Sequence, residues 1–153
     1  MRRLENKIPP LLVMMSVSAS MWLLSPLLPT VTLGATLRIA ASLGIVVLAL
    51  YFIAAGVLEF ARHQTTVDPR QPEKTSHLVV SGIYKISRNP MYVGFALILT
   101  AQVILMQSPL LLTGVAAFVI YMNAYQITPE ERAMKSHFGE QYARYMMQVR
   151  RWL

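Results

Sequence analysis

Four apolar runs of near-bilayer length leave this chain few folds to choose from. They cover about residues 8–28, 37–60, 91–107 and 109–127. A bilayer-spanning helix needs about 20 apolar residues. A soluble amphipathic helix would show its apolar residues as a stripe, and here they come in blocks. Composition points the same way: of 153 residues, 55% are hydrophobic and 14% charged, too much apolar surface for a small soluble core. The predicted fold is an all-α integral membrane protein. It is a single membrane domain over residues 1–153, with about four transmembrane helices, a cytoplasmic loop over 61–89 and an amphipathic helix over 129–147 on the cytoplasmic face.

The breaks between runs add detail. The first two runs are predicted to form a hairpin with an external loop over 29–36. Only Ser108-Pro109 separates the third run, short for a straight span, from the fourth, which predicts a tight helical hairpin. Small residues in the second run (Ala40, Gly44, Ala54, Ala55 and Gly56) suit close helix approach in lipid.

Charge supplies the orientation. The net charge is +7, which in a soluble protein would suggest nucleic acid. Of the 14 lysines and arginines, however, all but Arg38 fall in residues 2–7, 62–88 or 132–151. Such clustering is the positive-inside pattern. It places both chain ends and the central loop in the cytoplasm and argues for lipid, not nucleic acid, as the partner surface. The opening MRRLENK and its apolar run also resemble a signal peptide, but the run is long and lacks a clean cleavage site. Cysteine is absent, which excludes disulfides and thiolate chemistry. The dispersed His63, His77 and His137 have no metal-ligand spacing.

Two helix starts could carry chemistry. Asn89 is a suitable N-cap and Pro90 suits the first helical position. The free N–H groups of that first turn, with Arg88 beside them, make either an anion site or simply a capped helix with a snorkelling arginine. Thr128 and Glu131 have capping-box spacing around Pro129. That leaves Glu130 without a structural role, either solvated or available to an ammonium group. A tight hairpin would bring Arg88 and Glu130 to one membrane face, where an amino-acid zwitterion fits between them. Tyr84 and Tyr92 could contact a cation or belong to the interfacial aromatic belt. Glu59, Arg62 and His63 read as an interfacial ion-pair cluster or as groups that line a site. The run His77 to Val80 is apolar enough to dip against the membrane. After Thr128, apolar residues recur at helical spacing, with a break expected near Gly139.

These stretches resemble the isoprenylcysteine carboxyl methyltransferase family, grouped with the phospholipid N-methyltransferases. The residues that carry the resemblance are Leu78 to Tyr84, then Arg88-Asn89-Pro90-Met91-Tyr92, Glu130-Glu131, Phe138 to Tyr142, and Tyr145. It covers about half of the chain, from Thr75 onward. It implies a helical membrane enzyme that uses S-adenosylmethionine (SAM) as methyl donor. Carried over, the cofactor-enclosing residues are Ser76, His77, Leu78, Val79, Gly82, Tyr84, Arg88, Asn89, Pro90, Met91, Tyr92, Glu130 and Glu131. Where many relatives have His before the proline, this chain has Asn89, which keeps a polar cap. Where the eukaryotic enzymes place a substrate-facing arginine one turn before the glutamate, it has Gln126, which argues against an isoprenylcysteine carboxylate as acceptor.

The expected activity is transfer of a methyl group from SAM to a lipophilic or small thiol, carboxylate or amine acceptor arriving from the bilayer. Gln126, Tyr142 and Tyr145 are the acceptor-side candidates. No general base is evident, so alignment and desolvation would carry catalysis. The sequence leaves two rivals. A membrane reductase of the sterol-reductase type would use NADPH, with Arg62, Arg70, Lys74 and Lys85 near its phosphates. A non-enzymatic four-helix exporter would need an ionisable group deep in a span, and none lies near the middle of one. With no eukaryotic sorting signal, a prokaryotic inner membrane is expected.

Overall fold

The computed structural model describes residues 5–62 and 78–153. Every regular element in these stretches is helical: α1 (Pro10–Leu24), α2 (Ala35–Arg62), α3 (Pro90–Met106), α4 (Leu112–Tyr121) and α5 (Thr128–Gln148). Short 3-10 turns at Ser25–Leu27, Gly82–Lys85 and Pro109–Leu111 punctuate them. Met122–Ile127 is a π-helical stretch that joins α4 to α5. Three helical stretches are long and apolar enough to cross a membrane, and α3 is a shorter apolar helix of 17 residues. At 1.5 Å per residue α3 is about 26 Å long. The chain is an all-α membrane protein. Its outward surface says so as clearly as its hydropathy: Trp22, Leu23, Leu27, Leu37 and Leu43 are each more than half exposed, as side chains are that face lipid.

Proline starts three of the apolar elements, at Pro10, Pro90 and Pro109, where the missing N–H costs nothing. Gln107 ends α3 in the left-handed region at φ 57°, and Ser108 is extended before the next turn begins. The third and fourth runs therefore reverse within two residues. The Ser108 hydroxyl donates to the Pro29 carbonyl at 3.0 Å, and Val31 N–H donates to the Gln107 carbonyl at 2.8 Å. These bonds hold the loop after α1 across the α3–α4 turn.

The expected hairpin of the first two runs is not a packed pair. α2 packs along α3, while α1 packs on α3 and α4. Gly94 explains the α2–α3 choice. A Cβ there would collide with Ile53 Cγ1 and lie 2.8 Å from the Ala49 carbonyl oxygen, so only glycine lets the two backbones approach this closely. Ser42 adds a hydroxyl bond to the Ala101 carbonyl at 3.3 Å. On the other flank, Ser18 and Gln102 exchange bonds of 2.7 and 2.9 Å between α1 and α3. Of the small residues in α2, Gly56 does meet a neighbour, with Met91 and Pro90 against it. Gly44 faces open space and is no packing contact.

The opposite end of the bundle gathers the chain ends. Asn6 N–H donates to the Tyr125 carbonyl at 3.1 Å, and Arg132 pairs with Glu5 at 2.6 Å. After α5, Val149 is extended and the chain returns to the start of α3, where Arg88 N–H donates to the Arg150 carbonyl at 3.0 Å. Gly139, at φ 53° and ψ −125°, interrupts α5 where a break was expected.

Candidate functional site

The π-helical stretch is what builds the site. It advances the chain by an extra residue per turn, which rotates the face that α5 presents. Thr128 hydroxyl donates to the Asn123 carbonyl, five residues back, at 2.6 Å. The helix therefore runs straight through Thr128, and Ile127 before it is itself helical. The capping box expected of Thr128 and Glu131 does not form, because a residue inside a helix has no free N–H groups to cap. Asn89 likewise stands at the N-cap position without a side-chain cap bond. Its amide donates instead to the Arg151 carbonyl at 2.8 Å.

The rotation brings Glu130 against the start of α3. Tyr92 hydroxyl donates to Glu130 Oε1 at 2.8 Å, and Gln126 Nε2 donates to the same oxygen at 2.6 Å. Both donors are neutral and both sit on one oxygen. The carboxyl group is oriented by them, Oε2 has no cation among the described residues, and burial raises the pKa of Glu130 to about 7.

Glu131 is differently placed. Its carboxylate takes Arg88 Nη2 at 3.1 Å, Arg151 Nε at 3.0 Å and Arg151 Nη2 at 2.5 Å. These bonds push the Arg151 pKa up, outweighing its burial. Arg88 thus meets Glu131 through one nitrogen, with the Tyr142 hydroxyl also within its reach. Its Nε and Nη1 are buried without a hydrogen-bond partner among the described residues, and so is the Tyr84 hydroxyl. Buried polar atoms are normally satisfied, so these orphans make this end of the bundle the candidate binding place.

Tyr84 is set by its neighbours. Phe60 meets its ring edge-on at 5.3 Å, Tyr145 hydroxyl donates to its carbonyl at 2.7 Å, and its own hydroxyl lies near Gly56. Burial pushes its phenol pKa up, so it stays neutral. Tyr142 is buried beside Tyr145, close enough to feel Arg88 and Glu131.

The profile of the phospholipid methyltransferase family matches residues 37–141, from the start of α2 to well into α5. The chain belongs to the phospholipid methyltransferase family. An uncharacterized protein of Haemophilus influenzae is 41% identical over 63 residues, 41% of this chain and all of that protein. Protein-S-isoprenylcysteine O-methyltransferase B of Arabidopsis thaliana is 32% identical over 77 residues, 50% of this chain and 39% of that protein. No solved structure matches. These relationships make the chain a membrane protein of a methyltransferase family.

Within this family member, Tyr84, Arg88, Asn89, Tyr92, Gln126, Glu130, Glu131, Tyr142 and Tyr145 converge at one end of the bundle. Pro90 and Met91 lie against Gly56, and Val79 is buried with Ile83 and Tyr84. Leu78 is half-buried nearby. Gly82 turns the chain beside Glu59, whose carboxylate takes the Ser81 hydroxyl and Arg62 at 3.4 Å. Ser76, His77, His63, Arg70 and Lys74 lie outside the described residues. Sequence reasoning missed Asn123, Arg151 and Trp152. Trp152 donates to Asn123 Oδ1 at 3.1 Å and packs against both apolar clusters of the core. The pairing of an arginine with a tryptophan after a broken amphipathic helix was the available signal.

Proposed function

We propose that this chain transfers a methyl group from SAM to a lipophilic or small thiol, carboxylate or amine acceptor at the cytoplasmic face of a membrane. One observation carries the reading. A carboxyl group fixed by two neutral donors is followed in the helix by Glu131, which holds an arginine with two buried, unpartnered nitrogens among the described residues. That carboxyl group and that arginine are complementary to the ammonium and carboxylate of an amino acid, and SAM carries both.

In this reading Glu130 Oε2 holds the ammonium and Arg88 the carboxylate. Tyr84 and Tyr92 border the cationic centre with their ring faces. SAM supplies an electrophilic methyl group on a sulfonium. The protein contributes position and exclusion of water. Gln126 is committed to Glu130 and is 2% exposed, so it serves the group that holds the cofactor's ammonium more directly than an acceptor. Tyr142 remains the acceptor-side group. A groove of about 270 Å³, lined by Tyr51, Ala55, Leu58 and Ile86 among others, opens beside the turn that carries Tyr84. It supports entry of the acceptor from the bilayer.

The test is calorimetric titration of the detergent-solubilised protein with SAM and, separately, NADPH. Saturable binding of SAM and none of NADPH is expected, and the reverse result sinks the proposal. Transfer of labelled methyl from SAM to lipid and thiol panels then identifies the acceptor.

Orientation is the second expectation. The basic clusters place the chain ends and the central loop in the cytoplasm, and the contacts Glu5–Arg132 and Asn6–Tyr125 put residues 5 and 6 at the same end as Glu130. The bacterial relative supports an inner membrane. Reporter fusions near residues 32, 70 and 153 should read outside, inside and inside. An external reporter at 153 would cut the site off from cytosolic SAM.

A further inference from the structure

We propose that Arg151 is a positioning residue of the binding site, one that takes up Glu131 so that Arg88 keeps an uncompensated positive charge for the anionic end of its ligand. The inference rests on SAM, or a nucleoside like it, being that ligand. It starts from local charge. Arg88 and Arg151 share the single carboxylate of Glu131, so the three side chains sum to one positive charge. Across from them Glu130, whose pKa burial raises to about 7, has only neutral donors among the described residues and carries its negative charge above that pH. The site is therefore dipolar, positive at Arg88 and negative at Glu130, as a zwitterion requires. Without Arg151, Arg88 and Glu131 would cancel, and Glu130 would leave the site net negative.

Geometry makes Arg151 more than a surface charge. Its Nε and Nη2 engage both oxygens of Glu131, at 3.0 and 2.5 Å, and its Nη1 lies 3.3 Å from Asn123 Oδ1. A guanidinium suits this two-point grip. The surrounding backbone is stitched down as well. The Arg150 carbonyl accepts from Arg88 N–H, and the Arg151 carbonyl accepts from Asn89 Nδ2. Trp152 anchors the segment in both core clusters. With Glu131 turned toward Arg151, Arg88 Nε and Nη1 stay buried and unpaired among the described residues.

The test compares two nucleosides on the full chain in detergent. S-adenosylhomocysteine carries the amino-acid zwitterion; methylthioadenosine has the same adenosine thioether and lacks it. Arg151→Gln should weaken binding of the first about tenfold, on the scale of one charge-assisted interaction, and leave the second within about twofold. Arg151→Lys should recover part of the loss, since it keeps the charge but not the two-point grip. Equal losses for both nucleosides would make Arg151 a residue of the fold only and overturn the proposal, as would unchanged binding of both. If the unmutated chain binds neither, the SAM reading itself fails and this inference falls with it.

Discussion

Glu130→Gln is expected to weaken SAM binding about ten- to a hundredfold, the loss of one charge-assisted hydrogen bond of about 1.5–3 kcal/mol. The substitution keeps the size of the side chain. The amide oxygen can still accept from Tyr92 and Gln126, which now hold Oε1 at 2.8 and 2.6 Å. Thermal stability should therefore change little while affinity falls, and calorimetry with a melting curve on the same sample separates the two. Wild-type affinity in the variant would remove Glu130 from the site. Glu131→Gln is the informative neighbour. As a capping residue it would tolerate glutamine. As the carboxylate between Arg88 and Arg151, its loss leaves two guanidinium groups facing each other. Its melting temperature should fall, and its affinity for the anionic end of the ligand should not. A loss of affinity at Glu131 with none at Glu130 would reverse the two roles.

The contrast between these adjacent glutamates shows what a sequence holds and what it does not. Helices lie where the apolar blocks are because lipid demands internal hydrogen bonding along any span, and that demand is written in composition. Pro90, Pro109 and Gly139 mark starts and a break because their backbone limits are local. That the α3 start and Glu130 share one end was legible through the two-residue turn at Gln107–Ser108, while the bond from Tyr92 to Glu130 was not. The capping box was not legible as false. Thr128 and Glu131 have the right spacing, and only the helical state of Ile127 before them removes the free N–H groups. Nor was the packing of α3 beside α2 and α1, since it turns on Gly94 meeting Ala49, 45 positions apart in the sequence. Arg151 escaped for the same reason: its partner Glu131 lies 20 residues back, across the break at Gly139.

Gly82→Ala is expected to be the most damaging small substitution at this end of the molecule. Gly82 has φ +55°, in the left-handed region, where an L side chain costs about 1–2 kcal/mol. The added Cβ would also lie 2.6 Å from Glu59 Oε2 and 2.8 Å from its Cδ, an overpacking worth about 1–3 kcal/mol. Moving Glu59 aside into the groove it lines would break its bonds to Ser81 and Arg62. Otherwise the turn must shift, and it carries Tyr84 two residues later, wedged between Phe60 and the Tyr145 hydroxyl. The variant should therefore melt lower by a combined cost of about 2–5 kcal/mol and bind SAM more weakly. The double variant Glu59→Ala with Gly82→Ala removes the collision and retains the backbone cost. If the collision dominates, the double variant binds SAM better than Gly82→Ala alone, although it has lost a second native side chain. If it binds no better, the left-handed backbone costs more than the collision does. A Gly82→Ala protein that melts and binds like the wild type would mean that Glu59 and the turn are not coupled to Tyr84 at all.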